Sequence, residues 1–397
     1  MHRRTLWTLY FGNLLASIGL WFFLPLLPIF IGRKGGSSVL VGAVLAAGLL
    51  ASALIRYPAG WAADRFGTRP LMVGSMAACA LLFLAYLLPL PIGAFIAVRA
   101  VHGAAAGAFW PAANGLIAEV TPSDQRGRAF GTMQSTNMAG ILLGPAIGGF
   151  AALYNLNAVF AISAIVSGLA TVALATLPNV RVEAPTGEPA RALTIARRLV
   201  PFLLLGAGTS YMIGTLDTVW SLYLTSRGAS TFAVGVSFMA FAVPATLLSA
   251  KAGAFGDRFG ARRLILVALL STAVFAAIYP FVTSVPWLIG LGLIEGIFTV
   301  SGLPSLNAEV SRIAEPGQQA RTQGVFQTGQ FAIQILGALV GGALFTVSPT
   351  WAFLAITLVC LVGVGTALLP QQLNLSTGPR RGAATHTQPP PASPNRS

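Results

Sequence analysis

Two phrases decide how this chain folds: "GWAADRFGTRP", Gly60–Pro70, and "GAFGDRFGARR", Gly253–Arg263. Each sets an aspartate and basic residues between long apolar runs, in a chain of 397 residues with only 10 acidic ones. The second starts 193 positions after the first, and the same shift keeps matching residues onward. It lays Pro111 on Pro304, Asn114 on Asn307, Arg128 on Arg321, Gln134 on Gln327, and Gly144, Gly148 and Gly149 on Gly337, Gly341 and Gly342. No gap is needed from Gly60 to Gly149. The chain is therefore one plan written twice.

What surrounds the phrases gives the solvent. Hydrophobic residues make up 55% and charged residues 9% of the sequence, against roughly 25% charge in a soluble domain. Apolar runs of about 20 residues, the length a helix needs to cross some 30 Å of hydrocarbon, recur at residues 5–31, 38–62, 70–90, 92–118, 128–152 and 157–178. They return at 199–225, 232–254, 262–283, 286–310, 321–346 and 349–370. This predicts an all-α membrane protein of twelve transmembrane helices in two pseudo-symmetric six-helix bundles, residues 1–178 and 199–370. A cytoplasmic linker, 179–198, joins them. Residues 371–397, rich in Pro, Thr, Arg and Gly, read as a disordered cytoplasmic tail. The first run is too long, and leads too directly into further spans, to read as a cleaved leader.

The net charge of +14 follows topology and not a nucleic-acid partner. With a cytoplasmic N-terminus, only Arg33, Lys34 and Arg227 fall outside, and Arg99 is the one cation assigned within a span; all other Lys and Arg fall on the cytoplasmic side. That is the positive-inside asymmetry of multi-pass proteins, and it places both termini in the cytoplasm and the chain in the cell's inner (plasma) membrane. An even number of helices per half makes the repeats parallel, with a binding site expected between them near mid-bilayer. Cys79 and Cys360 lie inside apolar runs without His or Cys neighbours, so neither a disulfide framework nor a metal site is expected. No nucleophile with a base, metal-ligand spacing or phosphate-binding loop marks an enzyme or a cofactor.

These residues resemble the major facilitator superfamily over all but the tail. Gly60, Asp64, Arg65, Gly67 and Arg69, and again Gly253, Asp257, Arg258, Gly260 and Arg262, are similar to its loop signature after the second helix of each half. Arg99, Gly103 and Gly107 in "RAVHGAAAG" resemble the Arg-bearing fourth-helix signature of proton-coupled members. "GILLGPAIGG", with Gly140, Gly144, Pro145, Gly148 and Gly149, resembles the fifth-helix signature of drug and metabolite antiporters. In the second half Ala338 replaces Pro145. The resemblance implies a lone-chain secondary transporter of small molecules, driven by protons and moving its halves by a rocker switch.

Each motif has a physical reading. A carboxylate at Asp64 or Asp257 suits a neighbouring helix N-terminus, worth about 0.3–1 kcal/mol, and the arginines pair with it or with lipid phosphates; such contacts latch the cytoplasmic ends while closed. Gly140, Gly144 and Gly148 make a smooth face for close helix approach, and Pro145 bends the helix, which suits a hinge or an inter-half seal. Inside spans an ionisable residue costs roughly 2.5–3.5 kcal/mol and is a functional candidate by default. Arg99, His102, Asp217 and Glu295 are the candidates for proton coupling. The 193 shift sets Glu295 opposite His102, both about 14 Å from the outer edge at ~1.5 Å per residue. Burial disfavours charge and an approaching cation favours it, and that competition is the minimal chemistry of antiport. Trp21, Trp110, Tyr211, Trp220 and Phe298 are candidates for an aromatic substrate cavity. The expected function is proton-coupled efflux of small amphipathic or hydrophobic compounds. A symporter or uniporter importing a sugar or other metabolite is the alternative, and a non-transporting membrane sensor a third.

Overall fold

The computed structural model describes residues 2–122, 126–180, 192–299, 302–313 and 319–368, and the tail expected at 371–397 lies outside them. Among the described residues every regular element is a helix. The first half holds α1 (His2–Phe23), a 3-10 turn (Leu24–Leu26), α2 (Leu27–Arg33), α3 (Ser38–Phe66), α4 (Thr68–Ala85), α5 (Ala94–Val120), α6 (Arg126–Tyr154) and α7 (Leu156–Ala175). The second holds α8 (Ala192–Ser226), α9 (Thr231–Phe259), α10 (Ala261–Ile278), a 3-10 turn (Tyr279–Phe281), α11 (Val285–Thr299), α12 (Gly302–Ile313), α13 (Gln319–Val347) and α14 (Pro349–Leu368).

Among the described residues nine stretches are long and apolar enough to cross a bilayer, and Thr231–Pro244 and Val285–Thr299 are shorter apolar helices. α5 completes the set: its 27 residues span about 40 Å at ~1.5 Å each, and Arg99 and His102 dilute its apolarity. Pro25 and Pro28 break the first span into α1, a tight turn and α2, because proline lacks the amide a helix interior needs. One expected boundary moves: the seventh helix starts at Ala192, inside the expected linker. The Asp64-Arg65 pair falls in the last turn of α3, at the end of that helix.

The shift of 193 holds in three dimensions. It carries α3, α4, α6 and α7 onto α9, α10, α13 and α14 with both ends of each helix in register. Among the described residues the four positive-φ glycines fall into two pairs under it, Gly35 (86°) with Gly228 (84°) and Gly67 (96°) with Gly260 (89°). Ser37 and Ser230 cap the starts of α3 and α9, accepting from Leu40 N at 3.3 Å and Ala233 N at 3.2 Å. The aromatic cores repeat as well. Phe160 meets Phe30 at 4.5 Å and Tyr86 at 5.0 Å, and Phe353 meets Tyr223 at 5.0 Å and Tyr279 at 5.8 Å. Lys34 covers the Phe30 ring and Arg227 the Tyr223 ring, both at 5.1 Å.

Apolar side chains such as Leu81, Val172, Leu247 and Leu358 stand exposed on the outer faces, and Trp7, Trp61, Tyr154, Trp287 and Trp351 near helix ends. In water this would be a liability; against lipid it is a matched surface with interfacial aromatic belts.

The paired glycines give a graded test. Gly260→Ala places its Cβ in open space, so it bears only the strain of a positive-φ extended backbone, about 1–3 kcal/mol. Gly67→Ala bears that and also overlaps Asn179 Oδ1, whose Nδ2 donates to Phe66 O at 3.3 Å. Thermal unfolding in detergent should rank Gly67→Ala below Gly260→Ala, with Asn179→Gly recovering the difference.

Candidate functional site: a cavity between two bundles

The halves meet where small residues let backbones touch. A Cβ built on Gly42 (α3) would overlap Ala338 O (α13), and one on Gly235 (α9) would overlap Pro145 O (α6). These two contacts are the same contact under the shift of 193. Ser38 Oγ donates to Gly342 O at 2.8 Å, and its counterpart Thr231 Oγ to Gly149 O at 3.0 Å; Ser221 Oγ donates to Pro25 O between the first and seventh spans. All of these residues sit at the helix ends remote from the charged phrases.

The fifth-span glycines divide their work. Gly140, Gly144 and Gly148 pack against Ser17, Trp21 and Phe22 of α1 within one half, whereas Pro145 and Gly149 face α9 of the other. In the second half Gly337 and Gly341 pack on Tyr211 and Thr215 of α8, and Gly342 faces Ser38. The expected smooth face thus docks α6 on its own bundle, and the adjacent face makes the inter-half contact.

Beyond that contact the halves enclose a cavity of ≈ 510 Å³, within the range of small-molecule sites. Its walls are aromatic and aliphatic: Trp21, Trp110, Trp220, Phe238, Phe241 and Phe331, with Met138, Ile141 and Met212 between them. Among the described residues four charged side chains line it, the cations Arg56 and Arg99 from the first half and the carboxylates Asp217 and Glu295 from the second.

Arg99 is 6% exposed and its Cζ lies 5.8 Å over the Phe23 ring. Gly48 provides its room, since a Cβ there would come within 2.7 Å of Cζ. Arg99 Nε has no hydrogen-bond partner, and Arg99 and Asp217 line the same cavity. Glu295 is 1% exposed and accepts a hydrogen bond from the Tyr279 hydroxyl. The Tyr279 ring packs on Trp220 at 4.9 Å, and Trp220 Nε1 donates to Ser237 Oγ at 3.0 Å, so the carboxylate is held by a supported chain of groups.

His102 departs from expectation. It is 1% exposed and turned into its own bundle, stacked on Phe23 at 5.4 Å and edge-on to Phe83 at 4.4 Å. There it lines a separate cavity of ≈ 40 Å³ with Asn13, Ser17 and Asn137, and its Nδ1 has no partner. The reason lies three residues earlier. Arg99 fills the space beside His102, while Gly292 at the matching position leaves Glu295 open to the central cavity. His102 and Glu295 share a register but not a compartment.

Of the five aromatic candidates, Trp21, Trp110 and Trp220 line the cavity. Tyr211 is buried where α8 packs on Gly337, and Phe298, three residues past Glu295 and turned about 60° from it, is 46% exposed on the outer face. Arg56 corrects the charge count. It was assigned to the cytoplasmic side, yet it sits inside the third helix with its guanidinium in the cavity wall. The signal was available, since residue 56 falls within the second expected span.

At the charged phrases Arg69 and Arg262 bond within their own halves. Arg69 Nη1 donates to Leu177 O at 3.5 Å near the end of α7, and Arg262 Nη2 to Ala367 O at the end of α14, where free carbonyls and the dipole favour a cation. Arg65 lies over Trp61 at 5.3 Å. The side chains of Asp64, Asp257 and Arg258 lie outside the described residues, as does that of Gly253's immediate neighbourhood.

Two bundles related by an internal repeat, crossing a bilayer around one charged, aromatic cavity, define a multi-pass membrane transporter and not an enzyme. The chain belongs to the Major Facilitator Superfamily, whose description matches residues 9–251 and 202–394. It is 30% identical over 384 residues to the multidrug resistance protein MdtG of Serratia proteamaculans, covering 89% of each chain. It is 26% identical over 354 residues to the multi-drug resistance efflux pump PmrA of Streptococcus pneumoniae, covering 84% of this chain and 87% of that one. Among solved structures it is similar in fold to the nucleoside transporter NupG, with TM-score 0.76, 14% identity, and 91% and 97% of the chains covered. A bacterial homolog to the human lysosomal transporter Spinster gives TM-score 0.75 at 15% identity, covering 91% and 95%.

Proposed function

We propose that this transporter exports small amphipathic or hydrophobic compounds from the cytoplasm in exchange for protons, by rocking its two bundles about the cavity between them. The observation that carries the reading is that Asp217 and Glu295 from one half and Arg99 from the other line the same, largely apolar cavity. A carboxyl group in such a place holds its proton until a cation or polar substrate stabilises the ionised form, so substrate entry and proton release compete. The relatives named for multidrug efflux point the same way. A sugar importer needs a wall rich in amides and hydroxyls, and this wall offers few.

In this reading the protein sits in the inner (plasma) membrane as a monomer with both termini cytoplasmic, and residues 1–178 and 199–370 move as units. The glycine contacts seal the outer side while the charged phrases are parted, and the phrases engage when the cavity turns outward. Asp64→Asn should then lower turnover several-fold with little effect on substrate affinity, and should raise labelling of cysteines placed near Gly60 at the cytoplasmic end. Unchanged labelling with full transport would reduce the phrase to a topogenic charge.

The substrate is found by growth inhibition. A strain overproducing the protein is challenged with diverse toxic amphipaths, with Glu295→Gln as the inactive control. Resistance to several compounds that the control lacks supports efflux. No resistance to any compound, together with uptake of a polar metabolite, would return the importer.

A further inference from the structure

The cavity contains one charged group that proton coupling leaves unused. Arg56 projects from α3 into the wall at the level of Phe331 of α13, its Cζ 4.8 Å over that ring. This is a cation resting on an aromatic face across the boundary between halves. Such a contact is worth about 0.5–2 kcal/mol, less than a guanidinium gains from an anion. Arg56 Nε is buried without a hydrogen-bond partner, so the fork is only partly satisfied. Within α3, Arg56 lies eight residues beyond Gly48, the residue that makes room for Arg99, about 12 Å further toward the charged-phrase end at ~1.5 Å per residue. It is therefore a second cationic level, apart from that of Arg99, in a cavity that Trp21, Trp110 and Phe241 also line.

We propose that Arg56 is an anion-recognising subsite, and that the substrates of this transporter include aromatic organic acids whose carboxylate or sulfonate pairs with Arg56 while the ring body lies in the aromatic cavity. The inference rests on the transport reading for the site as a whole. A planar guanidinium takes a carboxylate through two parallel N–H donors, and the anion supplies what the Phe331 ring does not. Because Phe331 belongs to the opposite half, an arriving acid exchanges an inter-half contact for a substrate contact, which loosens the halves at the moment of loading. A neutral compound of the same shape leaves the Arg56–Phe331 pair in place.

The test uses 1-naphthylacetate and its neutral isostere 1-naphthylacetamide, titrated into the purified full-length protein by calorimetry and by quenching of tryptophan fluorescence. Wild type should bind the acid at least about tenfold tighter than the amide, as a charge-assisted hydrogen bond allows. Arg56→Gln should bring the acid down to the affinity of the amide and leave the amide unchanged, which also shows the variant to be folded; Arg56→Lys should keep part of the preference. Phe331→Leu should tighten acid binding by freeing the guanidinium. Equal affinities in wild type, no binding of either compound, or a preference that survives Arg56→Gln would overturn the proposal; the last would move recognition to Arg99. Uphill transport of a compound from the growth panel reports separately on the efflux reading, so its loss with the acid preference intact sinks that reading and not this one.

Discussion

Glu295→Gln is expected to abolish accumulation against a gradient while substrate binding and downhill exchange survive. The argument is one of proton supply. A proton entering through 100 mV releases about 2.3 kcal/mol, enough to sustain a concentration ratio of about fifty. Glu295 is buried, faces the cavity and is held by the Tyr279 hydroxyl. An amide keeps that hydrogen bond through its carbonyl oxygen and keeps the volume, but has no proton to release, so the ratio should fall to one. Asp217→Asn should act in the same direction or lower the number of protons moved per substrate. Tyr279→Phe, which removes the donor and spares the carboxylate, should slow transport without uncoupling it. Accumulation in proteoliposomes, with substrate counterflow measured in the same preparation, separates the outcomes. An amide double variant that still accumulates substrate with full proton flux would place coupling elsewhere, with His102 next to be tested.

The second large effect is expected at the inter-half glycines. Gly42→Val and Gly235→Val each drive a side chain into a carbonyl of the opposite half, Ala338 O and Pro145 O. A backbone atom cannot swing aside, so the helices must part. Overpacking costs about 1–3 kcal/mol, charged here to one conformation and not to the folded state, since each bundle keeps its own core. The sealed state should lose roughly 5- to 150-fold in population, and transport should fall with it. Gly168→Val, which meets nothing within 4 Å, controls for bulk. Labelling of a cysteine at Trp21 from the outer side should rise in both variants, by similar amounts, because the contacts are equivalent under the repeat. Normal transport with unchanged labelling would mean that this contact is never broken in the cycle.

Much of the fold was legible because helix, span and repeat all depend on patterns local to the chain. Twelve apolar runs and a constant offset of 193 need no knowledge of which side chain faces which. The matched ends of α3 with α9 and α6 with α13, and the matched positive φ of Gly67 and Gly260, are that offset expressed as geometry. The site was legible only in part. Arg99, Asp217, Glu295 and three tryptophans were found by cost, as groups that are expensive or bulky inside a membrane. Facing is another matter, set by neighbours that a span count does not see. His102 lost the cavity to the side chain of Arg99, Glu295 gained it through Gly292, and Phe298 turned outward within a single turn. Arg56 was missed for a different reason: a count of positive charges by loop absorbed a cation that lies inside its helix. Tyr279 was out of reach too, since its partnership with Glu295 depends on the break between α10 and α11.

In the proposed mechanism substrate leaves in exchange for protons through one cavity. The most direct measurement is substrate-induced proton movement by the wild-type protein in proteoliposomes carrying a pH-sensitive dye, using a compound to which the overproducing strain is resistant. A proton flux opposite to the substrate is expected, present with wild type, absent with Glu295→Gln, and able to drive substrate uphill when only a pH gradient is imposed. Substrate movement that equilibrates and stops, with no proton flux in the wild type, would contradict it.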